Sequence, residues 1–194
     1  MNYKSEMDIV NTKQRQKIHP HKFTMWVAIG SLTMMFMGLT SAFIVKSSQP
    51  GWEDVEMPDV FWISTAVILL SSVTIMMAVR SFKQREMEQY RVWVAVTFTL
   101  GIAFILLQWL GFTNLWNQGI RLSGAGAAQF LYVIFGLHAL HITGGVIALL
   151  VLFIKAFFGK TKTYSSTGIE VAATYWHFVD LLWIYLLVFF MWIK

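Results

Sequence analysis

The residues able to do chemistry in this chain fall in two short stretches. One, F-G-L-H-A-L-H-I-T-G-G, carries His138 and His141, and the other, E-V-A-A-T-Y-W-H-F-V-D, carries Glu170, His177 and Asp180. Residues three apart share a face of a helix. His138 and His141 therefore point one way, and His177 and Asp180 repeat the spacing. Two imidazoles set against an imidazole and a carboxylate could ligate a metal. Two histidines on different helices could clamp a haem, and the same groups could relay protons. The plainer alternative is that they hydrogen-bond one another, backbone carbonyls or lipid head groups. Such bonds inside a membrane average about 0.6 kcal/mol and need no catalytic purpose. No Ser/His/Asp order, phosphate loop or nucleotide fingerprint accompanies them, so hydrolase and kinase chemistry drops out.

The elements that must position these groups are membrane spans. Hydrophobic residues make up 57% of the 194 and charged residues 13%, with nine Trp and sixteen Phe. A soluble domain this apolar would lack the polar surface to cover itself. The absence of cysteine excludes disulfides, Cys-ligated zinc and iron–sulfur clusters. Residues 1–22 are polar and basic, with no apolar region of signal-peptide type, so the first span is expected to stay as a permanent helix. Pro20 is expected to stop local structure just before the membrane. A span needs about 20 apolar residues, and five uncharged or nearly uncharged runs qualify: 23–45, 60–79, 92–112, 130–154 and 171–193. All are expected to be helices, because only a helix satisfies its own backbone in lipid. The fold class is thus an all-α integral membrane protein, a five-helix bundle over residues 23–194 preceded by a basic arm. The longest loop, around Gly119, Gly124 and Gly126, is too short to fold alone, and no internal repeat is evident. The prolines all lie outside the spans, unlike the broken helices of a small transporter.

Basic residues set the orientation. The arm holds Lys4, Lys13, Arg15, Lys17 and Lys22. The loop after the second span holds Arg80, Lys83, Arg85 and Arg91, and the loop after the fourth holds Lys155, Lys160 and Lys162. The opposite side has Lys46, Arg121 and Lys194. Positive charge concentrates on the cytoplasmic side, so the N-terminus is expected inside and the C-terminus outside. Placed at the span ends, the net charge of +5 gives no reason to expect nucleic-acid binding. Glu53, Asp54, Glu56 and Asp59 form an external acidic turn, read as solvated. Trp26, Trp62, Trp93, Trp109, Trp176 and Trp192 are expected as interfacial anchors.

At about 1.5 Å rise per residue, His138 and His141 lie roughly 12–17 Å below the external face. Asp180 lies roughly 15 Å above the cytoplasmic one, so in a core of about 30 Å the two depths coincide. Asp180 is expected to pair with His138 or His141, tying the fourth and fifth spans. Glu170 and His177 are expected to line the cytoplasmic end of the same helix pair, with a lipid head group or Arg80 as partner. Small residues cluster at Gly30, Ser31, Gly38, Thr40 and Ser41, at Ser64, Thr65, Ser71, Ser72 and Thr74, and at Gly144 and Gly145. They are read as ordinary close packing.

The stretch Y-W-H-F-V-D-L-L-W-I-Y-L (175–186), with Glu170 five residues before it, closely resembles the terminal signature of subunit III of haem–copper oxidases. G-L-H-A-L-H-I-T-G-G (136–145) is similar to that family's G-x-H-x-x-H-V-x-x-G helix, and P-x-x-F-x-x-S-T-x-x-L-L-x-S-S-x-T (58–74) to its second core helix. K-F-T-M-W and L-G-x-x-F-x-x-x-Q match more loosely, and the resemblance covers residues 20–194. It implies the short, five-span form of an accessory subunit in a proton-pumping cytochrome c oxidase of a bacterial plasma membrane. Such a subunit holds no haem or copper itself. The resemblance further implies packing against the haem- and copper-bearing catalytic subunit I with subunit II, bound phospholipid and support of proton uptake; it leaves open whether the oxidase joins a larger respiratory assembly. A related quinol oxidase is the alternative, and a haem-bearing cytochrome using His138, His141 and His177 a more distant one. The family often has a carboxylate in its first and third core helices; here Leu32 and Gly111 stand at those positions.

Overall fold

The computed structural model describes residues 20–48, 58–119, 126–158 and 166–193, without the side chains of residues 20, 21 and 127. The arm through residue 19, the acids Glu53, Asp54 and Glu56, Gly124, and the loop cations Arg121, Lys160, Lys162 and Lys194 lie outside the described residues. Five helices follow in order: α1 (Pro20–Ser47), α2 (Val60–Lys83), α3 (Met87–Asn117), α4 (Gly126–Phe158) and α5 (Thr167–Trp192). All five are long and apolar enough to cross a membrane, and no strand occurs among the described residues. Each helix runs a few residues past its uncharged stretch, because hydrogen bonding continues into the polar interface where charged side chains are tolerated. Pro20 opens α1 instead of ending structure before it, since a first-turn residue has no intrahelical N–H bond to lose.

Two helix ends have identifiable stops. At the end of α2, Glu86 N–H bonds Ser81 O (3.0 Å) and Arg85 N–H bonds Phe82 O (3.2 Å), the paired pattern of a left-handed cap. Arg85 takes φ +63° there, a role glycine usually fills. Gly119, at φ +85°, turns the chain out of α3.

α5 is the centre of the bundle. Its backbone lies against α1, α2 and α4, whereas α1 touches only α4 and α5. Its aromatic side chains also reach α3. Trp183, fully buried, meets Phe61 of α2 (5.7 Å between ring centroids), Phe104 of α3 (5.4 Å), and Phe135 (5.4 Å) and His138 (5.5 Å) of α4. Trp176, expected as an interfacial anchor, is instead core at 1% exposure. Its indole sits where a Cβ on Gly101 or Gly145 would come within 3.0 Å. The two glycines open the slot that admits it, so a residue near a span end in sequence is interior because its neighbours lack side chains. Trp26, Trp62, Trp109 and Trp192 do point outward.

The serines and threonines of α2 do more than permit close approach. Gln108 Nε2 donates to Ser64 (3.1 Å), Trp183 Nε1 to Thr65 (2.9 Å) and Trp176 Nε1 to Ser71 (2.8 Å). Thr74 and Thr97 share a bond of 2.8 Å. Ser64 and Thr65 each give their own proton to Phe61 O, which leaves the oxygen free to accept from the neighbouring helix. α2 thus presents an acceptor ladder to α3 and α5. The small residues of α1 behave differently: a Cβ at Gly30 or Gly38 would meet nothing within 4 Å, and Ser31 and Ser41 are exposed. Only Thr40 is used inward, bonding Tyr185 at 2.9 Å.

Candidate functional site

α5 carries its ionisable groups on one side, Glu170 first, His177 two turns on and Asp180 one turn beyond that. Glu170, in the first turn, takes Lys22 Nζ of α1 at 2.7 Å and Lys83 Nζ of α2 at 3.1 Å. The expected Arg80 is not a partner among the described residues; Lys83, one turn nearer the end of α2, meets the carboxylate instead. This clasp holds α1 and α2, whose backbones do not approach each other, to the same end of α5. Beneath it opens a cavity of about 390 Å³, lined by Lys22, Trp26, Lys83, Glu170 and His177 among apolar residues. Near the same end, Arg91 Nε donates to Ala156 O at 2.8 Å and ties α3 to α4.

His177 closes the inner side of this cavity, where its Nδ1 and the Ser72 hydroxyl share a 2.5 Å bond. Glu170 and His177 share this cavity, whose other walls are α1 and α2 and not the α4 of the expected α4–α5 pair.

The expected pair between Asp180 and His138 or His141 is not formed. Both Asp180 carboxyl oxygens and both His138 ring nitrogens are buried and without a hydrogen-bond partner among the described residues. The register of α4 on α5 is the reason. Gly145 lies against Trp176 and His141 O accepts from Tyr175 OH at 3.0 Å, so His138 arrives level with Trp183 and stacks on its indole at an interplanar angle of 23°. Asp180 is one turn away, on the side where the Ser72 hydroxyl also faces it. His141 turns toward α1, edge-on to Phe36, and its Nδ1 donates to Leu137 O at 2.7 Å.

Sequence reasoning missed Lys22 and Lys83 as partners of Glu170, and Ser71, Thr65 and Gln108 as cross-helix partners. An acid and two lysines at three span ends on the same predicted face is a signal that could have found the clasp. The hydroxyl ladder was visible as a run of small residues but not as acceptors, since the donors sit on helices whose rotation the sequence leaves open. Gly111 also gains a reason. A Cβ there would lie 2.7 Å from the Phe61 ring, so an aromatic side chain already takes the space.

The fold and seam define a polytopic helical membrane protein whose interior polar groups join its helices to one another. The family description that matches residues 6–194 reads cytochrome c oxidase subunit III, and the chain belongs to that family. A probable cytochrome c oxidase subunit 3 of Mycobacterium tuberculosis (strain H37Rv) is 30% identical over 163 residues, covering 81% of this chain and 80% of its own. The cytochrome c oxidase subunit 3 of Bacillus sp. (strain PS3) is 25% identical over 165 residues, 83% of this chain and 80% of its own. A cytochrome bo(3) ubiquinol oxidase subunit 3 of Pseudomonas aeruginosa is 28% identical over 167 residues, 84% and 79% respectively.

Proposed function

We propose that this chain is the accessory, non-redox subunit III of a proton-pumping haem–copper terminal oxidase, stabilising the catalytic subunit and supporting its proton uptake while oxygen is reduced to water. The observation that carries the reading is the use made of the terminal signature. Its Trp176, His177 and Trp183 each bind a hydroxyl of α2, and His141 is bound to its own helix. The histidines of this constellation serve helix contacts and do not converge on one point, which favours a scaffold over a haem clamp. Haem and copper then belong to the partner subunits, with subunit II and a larger respiratory assembly as further contacts.

The cytoplasmic placement of the N-terminus is part of the proposal. Lys22, Lys83, Arg91 and the last-turn Lys155 gather at one end of the bundle, the pattern the positive-inside tendency favours. The membrane proposed is a bacterial plasma membrane. The cavity under the Glu170 clasp, with two lysines above apolar walls, suits a phospholipid head group and the upper part of its chains.

Purification of the tagged chain in mild detergent tests this. Larger subunits bearing haem and copper should come with it, and the chain stripped of them should give no haem band in a reduced-minus-oxidised spectrum. A haem band in the stripped chain would overturn the reading. The named relatives include both cytochrome c and ubiquinol oxidases. Oxygen uptake with reduced cytochrome c, compared with a quinol, decides the electron donor.

A further inference from the structure

Asp180 and His138 are 3% and 1% exposed, lie on helices packed against each other, and leave four side-chain nitrogen and oxygen atoms without partners among the described residues. Buried polar atoms in native proteins are satisfied in about nine cases of ten, by protein or by ordered water. A stack of polar groups leads to them from the cavity: His177 at its inner wall, Ser72 bonded to His177, and Asp180 one turn farther along α5. His138 stacks on Trp183, three residues beyond Asp180, so its level is about 4.5 Å past that of the carboxyl. One water with a hydrogen bond on each side links polar atoms about 5.5–6 Å apart, and so can join groups on the two helices that make no direct bond.

We propose that Asp180 and His138 together form a binding site for ordered internal water, and that this hydrated seam continues the cytoplasmic-end cavity past His177 and Ser72 into the middle of the bundle. The water accepts from or donates to both residues, so the two side chains are energetically coupled although they do not touch. This assigns a joint role to the two buried groups that have no partner among the described residues. It does not depend on which oxidase the chain serves.

A map of the assembled oxidase at a resolution that shows ordered solvent tests it directly. The expected result is water density within hydrogen-bond distance of an Asp180 carboxyl oxygen and of a His138 ring nitrogen. A dry gap, or a rearranged direct Asp180–His138 bond, overturns the proposal. A double-mutant cycle on the assembled oxidase gives the second measurement, with Asp180→Leu, His138→Leu and both together. Coupling through shared water makes the double variant melt no lower than the worse single variant. Additive shifts overturn the proposal, as does a gain in Tm on removing either group alone. If a single variant fails to assemble, the wild-type map decides.

Discussion

The tight contact at Gly111 makes a prediction whose sign can be worked out from the packing. An alanine there places its Cβ 2.7 Å from Phe61 Cε1 and 3.0 Å from Cζ, inside the distances carbon atoms tolerate. Phe61 cannot swing away, because it is fully buried among Phe112, Phe135 and Trp183 at centroid distances of 6.1, 5.8 and 5.7 Å. Overfilling a closed core costs about 1–3 kcal/mol, while replacing glycine by alanine in a helix returns about 1 kcal/mol. Gly111→Ala should therefore destabilise by up to about 2 kcal/mol. At Gly38 an added Cβ meets nothing within 4 Å, so Gly38→Ala keeps only the helix gain and should be neutral or stabilising. The assay is thermal inactivation of the purified oxidase carrying each variant. Equal Tm values for the two variants would refute the packing argument at Phe61.

Further outcomes follow from other contacts. Trp176→Phe removes the donor to Ser71 and leaves part of the slot between Gly101 and Gly145 empty. It should lower stability by about 1–3 kcal/mol, most of it from lost volume because an intramembrane hydrogen bond averages about 0.6; subunit retention on a sizing column in detergent reads the loss. Glu170→Gln breaks the clasp to Lys22 and Lys83, whose side chains are 43% and 57% exposed. The screened pairs predict a loss of only about 0.5–1 kcal/mol, and wild type and variant should converge in Tm at high salt. Arg85→Gly relieves a left-handed backbone at φ +63°. It should raise Tm slightly, a gain of up to about 1 kcal/mol, and a fall in Tm would mean that the Arg85 side chain makes a contact worth more than the strain.

How much of this was legible in the sequence depends on the kind of feature. The five helices were, because uninterrupted apolar stretches in lipid have one way to satisfy their backbone. Helix rotation was not. His138 and Asp180 matched in depth, yet depth fixes only the axial coordinate; the Gly145–Trp176 contact sets the register and turns His138 onto Trp183 instead. Trp176 was misread for a related reason. Its position near a span end suits an interfacial anchor, and only the pair of facing glycines on two other helices reveals the slot that buries it. Glu170 and His177 do share one cavity, since one helix face needs no knowledge of its neighbours, but the helices facing them are α1 and α2, which that face alone does not name.

The acceptor ladder on α2 has a consequence for how the protein is made. The partners of Thr65, Ser71 and Ser72 all reside on α5, which is synthesised after the other four helices. Until α5 is delivered to the bilayer, Thr65 has its own helix carbonyl as a partner, and the slot between Gly101 and Gly145 has nothing to fill it. The first four spans can therefore insert, and α2 and α3 can pair through Gln108–Ser64 and Thr74–Thr97, but the closing of the bundle waits on the C-terminal helix. Arrival of that helix closes the aromatic hub, its own bonds to the α2 hydroxyls and the lysine clasp together, so a chain interrupted before it lacks the element that joins α1 to the paired α2 and α3.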